Sequence, residues 1–189
     1  AEIKIIFYWR NTTMKMFKKI MAVALVGVMA LSMLTGCAIT DAIIENKAKD
    51  ALENAWSTVE NESTTAHKNV KFKDGKFTST DAYKKTKAKI AKGDIKPAEG
   101  MAVVGESDDN YTVVVVAEPK NAKKEQNWKT LATKVLETAG WANGIYITSG
   151  NKAKVDIQTG IEGKNAEDTN KKDTYTIFVF AKTETAYNK

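Results

Sequence analysis

Two residue types that often act as nucleophile, base or zinc ligand, cysteine and histidine, are scarce in this sequence. Cys37 is its only cysteine and His67 its only histidine. A serine or cysteine nucleophile would have one candidate histidine base, and a zinc site of several Cys and His ligands cannot be assembled. A hydrolase would instead need two carboxylates or a Ser–Lys pair in a cleft that shifts their pKa values, with Asp108, Asp109 or Asp173 as lining residues. The spacing indicates no such pair, so we expect no catalytic residues, no metal and no cofactor.

Cys37 closes a segment that has the organisation of an export signal. Three lysines form a basic start, and an uncharged apolar run from Ile20 to Leu34 follows. Small residues then precede the cysteine, as expected at a processing point. The segment ends in Leu34, Thr35, Gly36 and Cys37, which resemble the lipobox of bacterial lipoproteins at every position.

The lipobox resemblance implies that the Cys37 sulfur receives a diacylglyceryl group and that a signal peptidase cuts between Gly36 and Cys37. The mature protein would then be lipid-anchored on the extracytoplasmic side of the cell membrane, because two acyl chains of the palmitate type hold a protein firmly. The alternative is an uncleaved transmembrane helix over residues 20–40, since a span needs roughly 20 residues. Ser32 and Thr35 interrupt that span where hydrocarbon is needed, so we favour the lipoprotein.

The signal divides the chain into three parts. Residues 1–13 precede it and are interpreted as read-through upstream of a start at Met14 or Met16. Residues 14–36 are the predicted signal peptide, and residues 37–189 are predicted to form a single extracytoplasmic domain, which is long enough for one hydrophobic core.

The net charge of the mature part is much lower than that of the whole chain. Five of the 29 basic residues and one of the 23 acidic residues precede Cys37, so the net charge falls from +6 to +2. The mature part contains no arginine. Nucleic-acid binding normally uses a strong basic excess and bidentate arginine contacts, so no nucleic-acid partner is expected.

The segment from Lys68 to Lys96 carries the one strong charge asymmetry of the mature part, with ten lysines against three aspartates. It could bind anionic lipid headgroups, at roughly 1 kcal/mol per lysine near the surface, or an acidic cell-wall polymer. The alternative, which we favour, is an ordinary solvated helix face. The candidate polyanion-binding residues are Lys71, Lys73, Lys76, Lys84, Lys85, Lys87 and Lys89.

Three helices are predicted from apolar periodicity and from capping residues. A stripe at steps of three and four predicts a long amphipathic helix over residues 40–59. Thr80 and Gly93 bound a short lysine-rich helix. A third helix is predicted to begin at the cap Asn121 and to end at Gly140. Two tryptophans of this region, Trp128 and Trp141, are interpreted as core residues rather than as the lining of a sugar cleft.

The strands are predicted from alternating or continuous apolar runs. Asp74-Gly75 predicts a hairpin turn that places Phe72 and Phe77 on one side. The acidic residues 106–110 predict a polar turn between two strands, the second of which is apolar on both faces and therefore internal. The segment 152–159 has one solvent-exposed face and is predicted to be a strand at the periphery of the sheet. Residues 160–173 are predicted to be a polar loop. The remaining strands are predicted over 101–105, 111–118, 144–148 and 174–185.

These elements predict an α+β fold. We expect a mostly antiparallel sheet of about five strands with helices packed on one face, preceded by the long amphipathic helix. Strands that are apolar on both faces need a second cover, either that first helix or another protomer.

Two classes of function remain open, and we favour the first. It is a non-catalytic binding or interaction module that is held at the membrane through lipidated Cys37 and that has a protein or a second copy of the chain as its partner. The alternative is a cell-envelope hydrolase that uses carboxylates or a Ser–Lys pair. A weaker alternative is a tether to polyanions or anionic lipids through the lysine-rich segment.

Overall fold

The computed structural model describes residues 40–58, 69–168 and 170–189. Within them, residues 40–58 form helix α1. Two short 3₁₀ turns, Glu125–Asn127 and Trp141–Asn143, flank the third helix. The other elements are, in chain order, β1 (Lys71–Asp74), α2 (Asp81–Lys92), β2 (Ala102–Val104), β3 (Tyr111–Ala117), α3 (Lys129–Ala139), β4 (Lys152–Lys164), β5 (Lys172–Ala181) and α4 (Glu184–Tyr187).

The strands form one sheet in the order β1-β4-β5-β3-β2. β1 pairs with β4 in parallel, and the other three pairs are antiparallel. This confirms the predicted α+β class with a mostly antiparallel sheet of five strands. A parallel pair requires a long connection between its strands, and here α2, β2, β3 and α3 all lie between β1 and β4 in sequence.

Both faces of the sheet are buried beneath helices. On β5, Phe178 and Phe180 belong to one core, whereas Tyr175, Ile177 and Val179 belong to a second core on the opposite face. α1 and α3 cover the first core, and α2 and α4 cover the second. Strands that are apolar on both faces need a cover on each side of the sheet. Helices of the same chain supply both covers, whereas the sequence predicted helices on one face only.

The predicted core of the first face is confirmed. The apolar stripe of α1 is buried down to Trp56, whose ring lies 6.0 Å from that of Phe72 and 5.3 Å from that of Trp141. Trp128 is fully buried, and its indole N–H donates to the carbonyl of Ala122 at 2.7 Å. Both tryptophans of the third helical region are thus core residues, as predicted. The last residue of the predicted first helix, at position 59, lies outside the described residues.

The predicted hairpin at Asp74-Gly75 is wrong. The Gly75 N–H donates to the carbonyl of Val155 at 2.7 Å, and the Phe77 N–H donates to the buried carboxylate of Asp156. These bonds hold the chain against β4 and carry it across the sheet edge, so Phe72 and Phe77 lie in the cores of opposite faces.

The second helix is confirmed and the third begins later than predicted. The Thr80 side chain caps α2, and Gly93 ends it in the left-handed region at φ 85°. α3 ends at Gly140 as predicted, but it begins at Lys129. Asn121 does not cap it, because it lies eight residues before Lys129, with φ 55°, in a turn in which its carbonyl accepts the Lys124 N–H.

Two strand predictions near the C-terminus are also corrected. Residues 144–148 form no strand, because their bonds to the sheet are isolated and make no ladder. The Tyr146 N–H donates to the carbonyl of Ala181, the Thr148 N–H donates to the carbonyl of Lys152, and the Gly144 carbonyl accepts the Thr112 hydroxyl. β4 is longer than predicted and lies inside the sheet, between β1 and β5. Its ladder shifts register between Gln158 and Ile161, at Gly160 with φ 68°, so strand structure continues to Lys164 and the predicted loop shortens to residues 165–171.

Candidate polyanion-binding surface

Four lysines share one face of the paired strands β1 and β4. The register places Lys71 beside Lys152 and Lys73 beside Lys154. The residues between them, Phe72 on β1 and Ala153 on β4, point into the first core, so the lysines point to the opposite face. This set of Lys71, Lys73, Lys152 and Lys154 is called the lysine quartet below. Like charges directly opposite one another in a sheet are destabilising, so this register places two unfavourable pairs side by side.

Two members of the quartet are held by neighbouring side chains. The Lys71 ammonium donates to the Glu53 carboxylate at 2.6 Å, across the free edge of β1. The hydrogen bond and the charge of Glu53 raise the pKa of Lys71 above its ordinary value, so Lys71 stays protonated at neutral pH. The Lys154 ammonium lies 5.1 Å from the centre of the Tyr187 ring, a cation–π arrangement.

The other two members have no such partner. Lys73 and Lys152 are exposed, and within the described part of the chain neither makes a salt bridge or a side-chain hydrogen bond. Three charges of the quartet therefore remain without a compensating carboxylate, those of Lys73, Lys152 and Lys154.

The predicted lysines of the second helix lie on the same face of the sheet as the quartet, because α2 packs on the second core. Lys84, Lys85 and Lys87 are exposed, and the Lys87 ammonium lies 6.0 Å from the centre of the Tyr83 ring. Lys89 is engaged with the Glu106 carboxylate, whose hydrogen bond and charge raise the pKa of Lys89. Lys89 is therefore the one predicted helix residue that is compensated.

The structure divides the seven predicted lysines into three places. Lys71 and Lys73 lie in the quartet, exposed Lys76 lies in the connection to α2, and the remaining four lie on α2. Sequence reasoning missed Lys152 and Lys154, although it identified a wet face on their strand. Lys152 and Lys154 join the site because β4 pairs in parallel with β1, a strand far away in sequence. The alternation of residues within β4 alone carries no information about this pairing.

Two of the three residues proposed for a hydrolytic cleft, Asp108 and Asp173, accept hydrogen bonds from neighbouring groups. Asp108 accepts the N–H groups of Asn110 and Tyr111 at 2.8 Å each, which closes the predicted polar turn. Asp109 is exposed beside it. Asp173 does line a cleft of about 410 Å³, but its carboxylate accepts the Asn165 side-chain N–H at 2.6 Å.

A second acidic residue of that cleft, Glu118, is also engaged in hydrogen bonds. Its carboxylate accepts the Gly160 N–H at 3.0 Å and the Thr176 hydroxyl at 3.2 Å. These bonds hold Gly160, where the β4 ladder shifts register, close to β3 and β5. Among the described residues, no group of three or more His, Cys, Asp or Glu side chains is placed to hold a metal ion.

The sequence-predicted lipidation residues Gly36 and Cys37, and also His67, lie outside the described residues. In the described ranges, no helix has both the length and the apolar character needed to cross a bilayer.

The chain matches no family model, no curated protein and no solved structure. The candidate site is therefore described from the geometry of this chain's own side chains. In the described part of the chain, that geometry singles out the lysine quartet, where four cations share one face of two paired strands.

Proposed function

We propose that this protein is a lipid-anchored module on the outer side of the cell membrane that binds a polyanion through the lysine quartet and catalyses no reaction. The observation that supports the binding role is the side-by-side pairing of Lys71 with Lys152 and of Lys73 with Lys154. The repulsion between Lys73 and Lys154, neither of which has a compensating carboxylate, opposes the association of β1 with β4, and that between Lys71 and Lys152 is reduced by Glu53. A bound polyanion would relieve that repulsion, because it neutralises the ammonium groups and releases its own counterions.

The proposed anchor rests on the sequence alone. A basic start, an apolar run of signal length and the four residues Leu34 to Cys37 agree with one another. An anchor of two acyl chains would keep the lysine quartet at the cell envelope, where anionic polymers and anionic lipids are both available as partners.

Intact mass and membrane fractionation test the anchor. The protein is expressed in a bacterium beside a Cys37→Ala variant. We expect the unmodified chain to lose residues 1–36, gain the mass of two or three acyl chains and sediment with membranes, whereas Cys37→Ala remains unprocessed. Retention of the apolar run without added lipid would show that the anchor is a transmembrane helix.

Salt-dependent binding of linear polyphosphate tests the quartet. For a single-stranded polyanion, the logarithm of the affinity falls by about 0.7 per contact for each unit of the logarithm of salt concentration. Three uncompensated lysines therefore predict an affinity loss of about 20-fold between about 50 and 200 mM salt. A Lys73→Gln/Lys152→Gln variant leaves one of them and should lose only about threefold over the same range.

The matched control is Lys123→Gln/Lys124→Gln. These two lysines are exposed on the connection between β3 and α3 and change the net charge by the same amount. The control should bind polyphosphate as the unmodified protein does. Equal weakening by both double variants would mean that binding depends on net charge alone, and the proposed site would be wrong.

A further inference from the structure

We infer that the ligand of the lysine quartet is a flexible linear polyanion that lies on the sheet beside α2, and that it is not a bilayer surface. This inference rests on the proposed function and names the class of its ligand. Three features of the described surface support it: the height of α2 above the quartet, the side chains on the outer surface of α2, and the aromatic boundary of the quartet.

The first feature is the step between the sheet and the helix. The quartet lies on the sheet itself, and α2 packs on the same face over β3 and β4. An α-helix with its side chains is about 10–12 Å thick. The outer surface of α2 therefore stands higher above the sheet than an extended lysine side chain reaches.

The step decides which kind of polyanion can reach the quartet. A bilayer that rests on α2, parallel to the sheet, would be held away from the ammonium groups of the quartet. Salt would weaken its attraction to them further, because the Debye length is about 8 Å at physiological salt. A single flexible chain has no such restriction, because it can lie down on β1 and β4 at the foot of the helix.

The second feature is the composition of the outer surface of α2. The buried residues Ala82, Tyr83, Thr86 and Ile90 define the inner side of the helix. The opposite side carries the exposed lysines Lys84, Lys85 and Lys92 with the small residues Ala88 and Ala91, and Asp81 lies at its start. A planar surface that approached this face would therefore meet the lysines of α2 before those of the quartet.

The third feature is the boundary of the quartet on its other side. α4 packs on the second core through Ala186, and Tyr187 lies under the Lys154 ammonium with its ring 5.7 Å from that of Tyr146. The Tyr187 ring, which packs against Tyr146, contacts Lys154 at the end of the quartet. The quartet is thus a bounded strip at the sheet edge, with β1 as its open side.

Two double variants with the same charge change test this inference. Lys73→Gln/Lys152→Gln removes charge from the sheet, and Lys84→Gln/Lys85→Gln removes it from α2. The full chain, extracted from membranes into phosphatidylcholine nanodiscs, is tested against linear polyphosphate and against phosphatidylglycerol vesicles, with empty nanodiscs as the blank.

We expect polyphosphate to bind and the sheet variant, which lacks two lysines, to weaken its binding about 30-fold, with little change for the α2 variant. Binding to phosphatidylglycerol vesicles should be weaker than binding to polyphosphate and should not depend on the sheet lysines. Tighter binding to vesicles, weakened mainly by the α2 variant, would overturn the inference. A sheet variant that affects neither probe would overturn the proposed function as well, so the two failures are distinguishable.

Discussion

Glu53 of α1 accepts the backbone N–H of Phe72 at 2.9 Å and so closes the free edge of β1. Unpaired edge strands are sites of unwanted association, and natural proteins cover or charge them. The second oxygen of the same carboxylate accepts the Lys71 ammonium. Glu53 therefore links the edge of the sheet to the lysine quartet.

Replacing Glu53 should separate these two roles. Glu53→Gln keeps an oxygen for the Phe72 N–H but frees Lys71, so we expect tighter polyphosphate binding and a steeper salt dependence. Glu53→Ala leaves the N–H without its partner and should lower the free energy of unfolding by about 1–3 kcal/mol. Urea unfolding and polyphosphate binding of both variants measure the two effects, and equal stability of the two variants would contradict the edge role.

Asp156 holds the chain where it leaves β1. Its buried carboxylate accepts the Phe77 N–H and the Gln158 side-chain N–H. Asp156→Ala removes both acceptors from a buried site and should lower the free energy of unfolding by about 1–3 kcal/mol or more. Asp156→Asn keeps one oxygen acceptor and should lose less. The exposed Asp109→Ala is the control in urea unfolding, and a loss as large as that of Asp156→Ala would refute this role.

The stability of the domain should depend on pH through Glu45 of α1. Burial raises the pKa of Glu45, the charges of Asp156, Asp41 and Asp74 raise it further, and Lys49 opposes them. An acid whose pKa is raised on folding binds more protons in the folded state, so its contribution to stability falls as pH rises above the unfolded value of 4.5.

Glu45→Gln should therefore stabilise the domain at neutral pH, and its advantage should shrink as the pH falls towards 4.5. Lys49→Gln should enlarge the pH dependence of the unmodified Glu45, because it removes the opposing charge. Thermal unfolding of the three proteins at several pH values measures this, and an advantage of Glu45→Gln that grows on acidification would contradict it.

The end of α2 depends on a left-handed glycine. Gly93 has φ 85°, and an added Cβ would lie 2.8 Å from Cδ of Lys164. Gly93→Ala should lower the free energy of unfolding by about 1–2 kcal/mol, mainly through the backbone conformation. Gly150→Ala is the matched control, since its Cβ would meet nothing closer than 3.9 Å. Equal unfolding midpoints for the two variants would refute the effect.

Local signals allowed α2 and the internal strand β3 to be predicted. Thr80 and Gly93 are capping residues whose effect depends only on their neighbours, and the run of valines in β3 is apolar on both faces whatever it packs against. The hairpin predicted at Asp74-Gly75 failed because the chain that follows is held by Asp156, which accepts the Phe77 N–H from 79 residues further along the sequence.

The candidate site was predictable only in part for the same reason. Lys71 and Lys73 were identified from local charge, but their neighbours Lys152 and Lys154 are joined to them by a parallel register that no turn connects. The lysines of α2 were identified from the same charge run, and the structure shows that they lie on a helix beside the quartet rather than within it.

The parallel pair also has a consequence for folding. Lys71 and Lys152 become neighbours only when the loop that contains all elements from α2 to α3 closes and β1 pairs with β4. Contacts this distant in sequence carry a large loop-closure entropy and slow the folding of the domains that depend on them. A chain newly delivered across a membrane would therefore first expose its basic segments separately. The lysine quartet would form only when β1 had paired with β4.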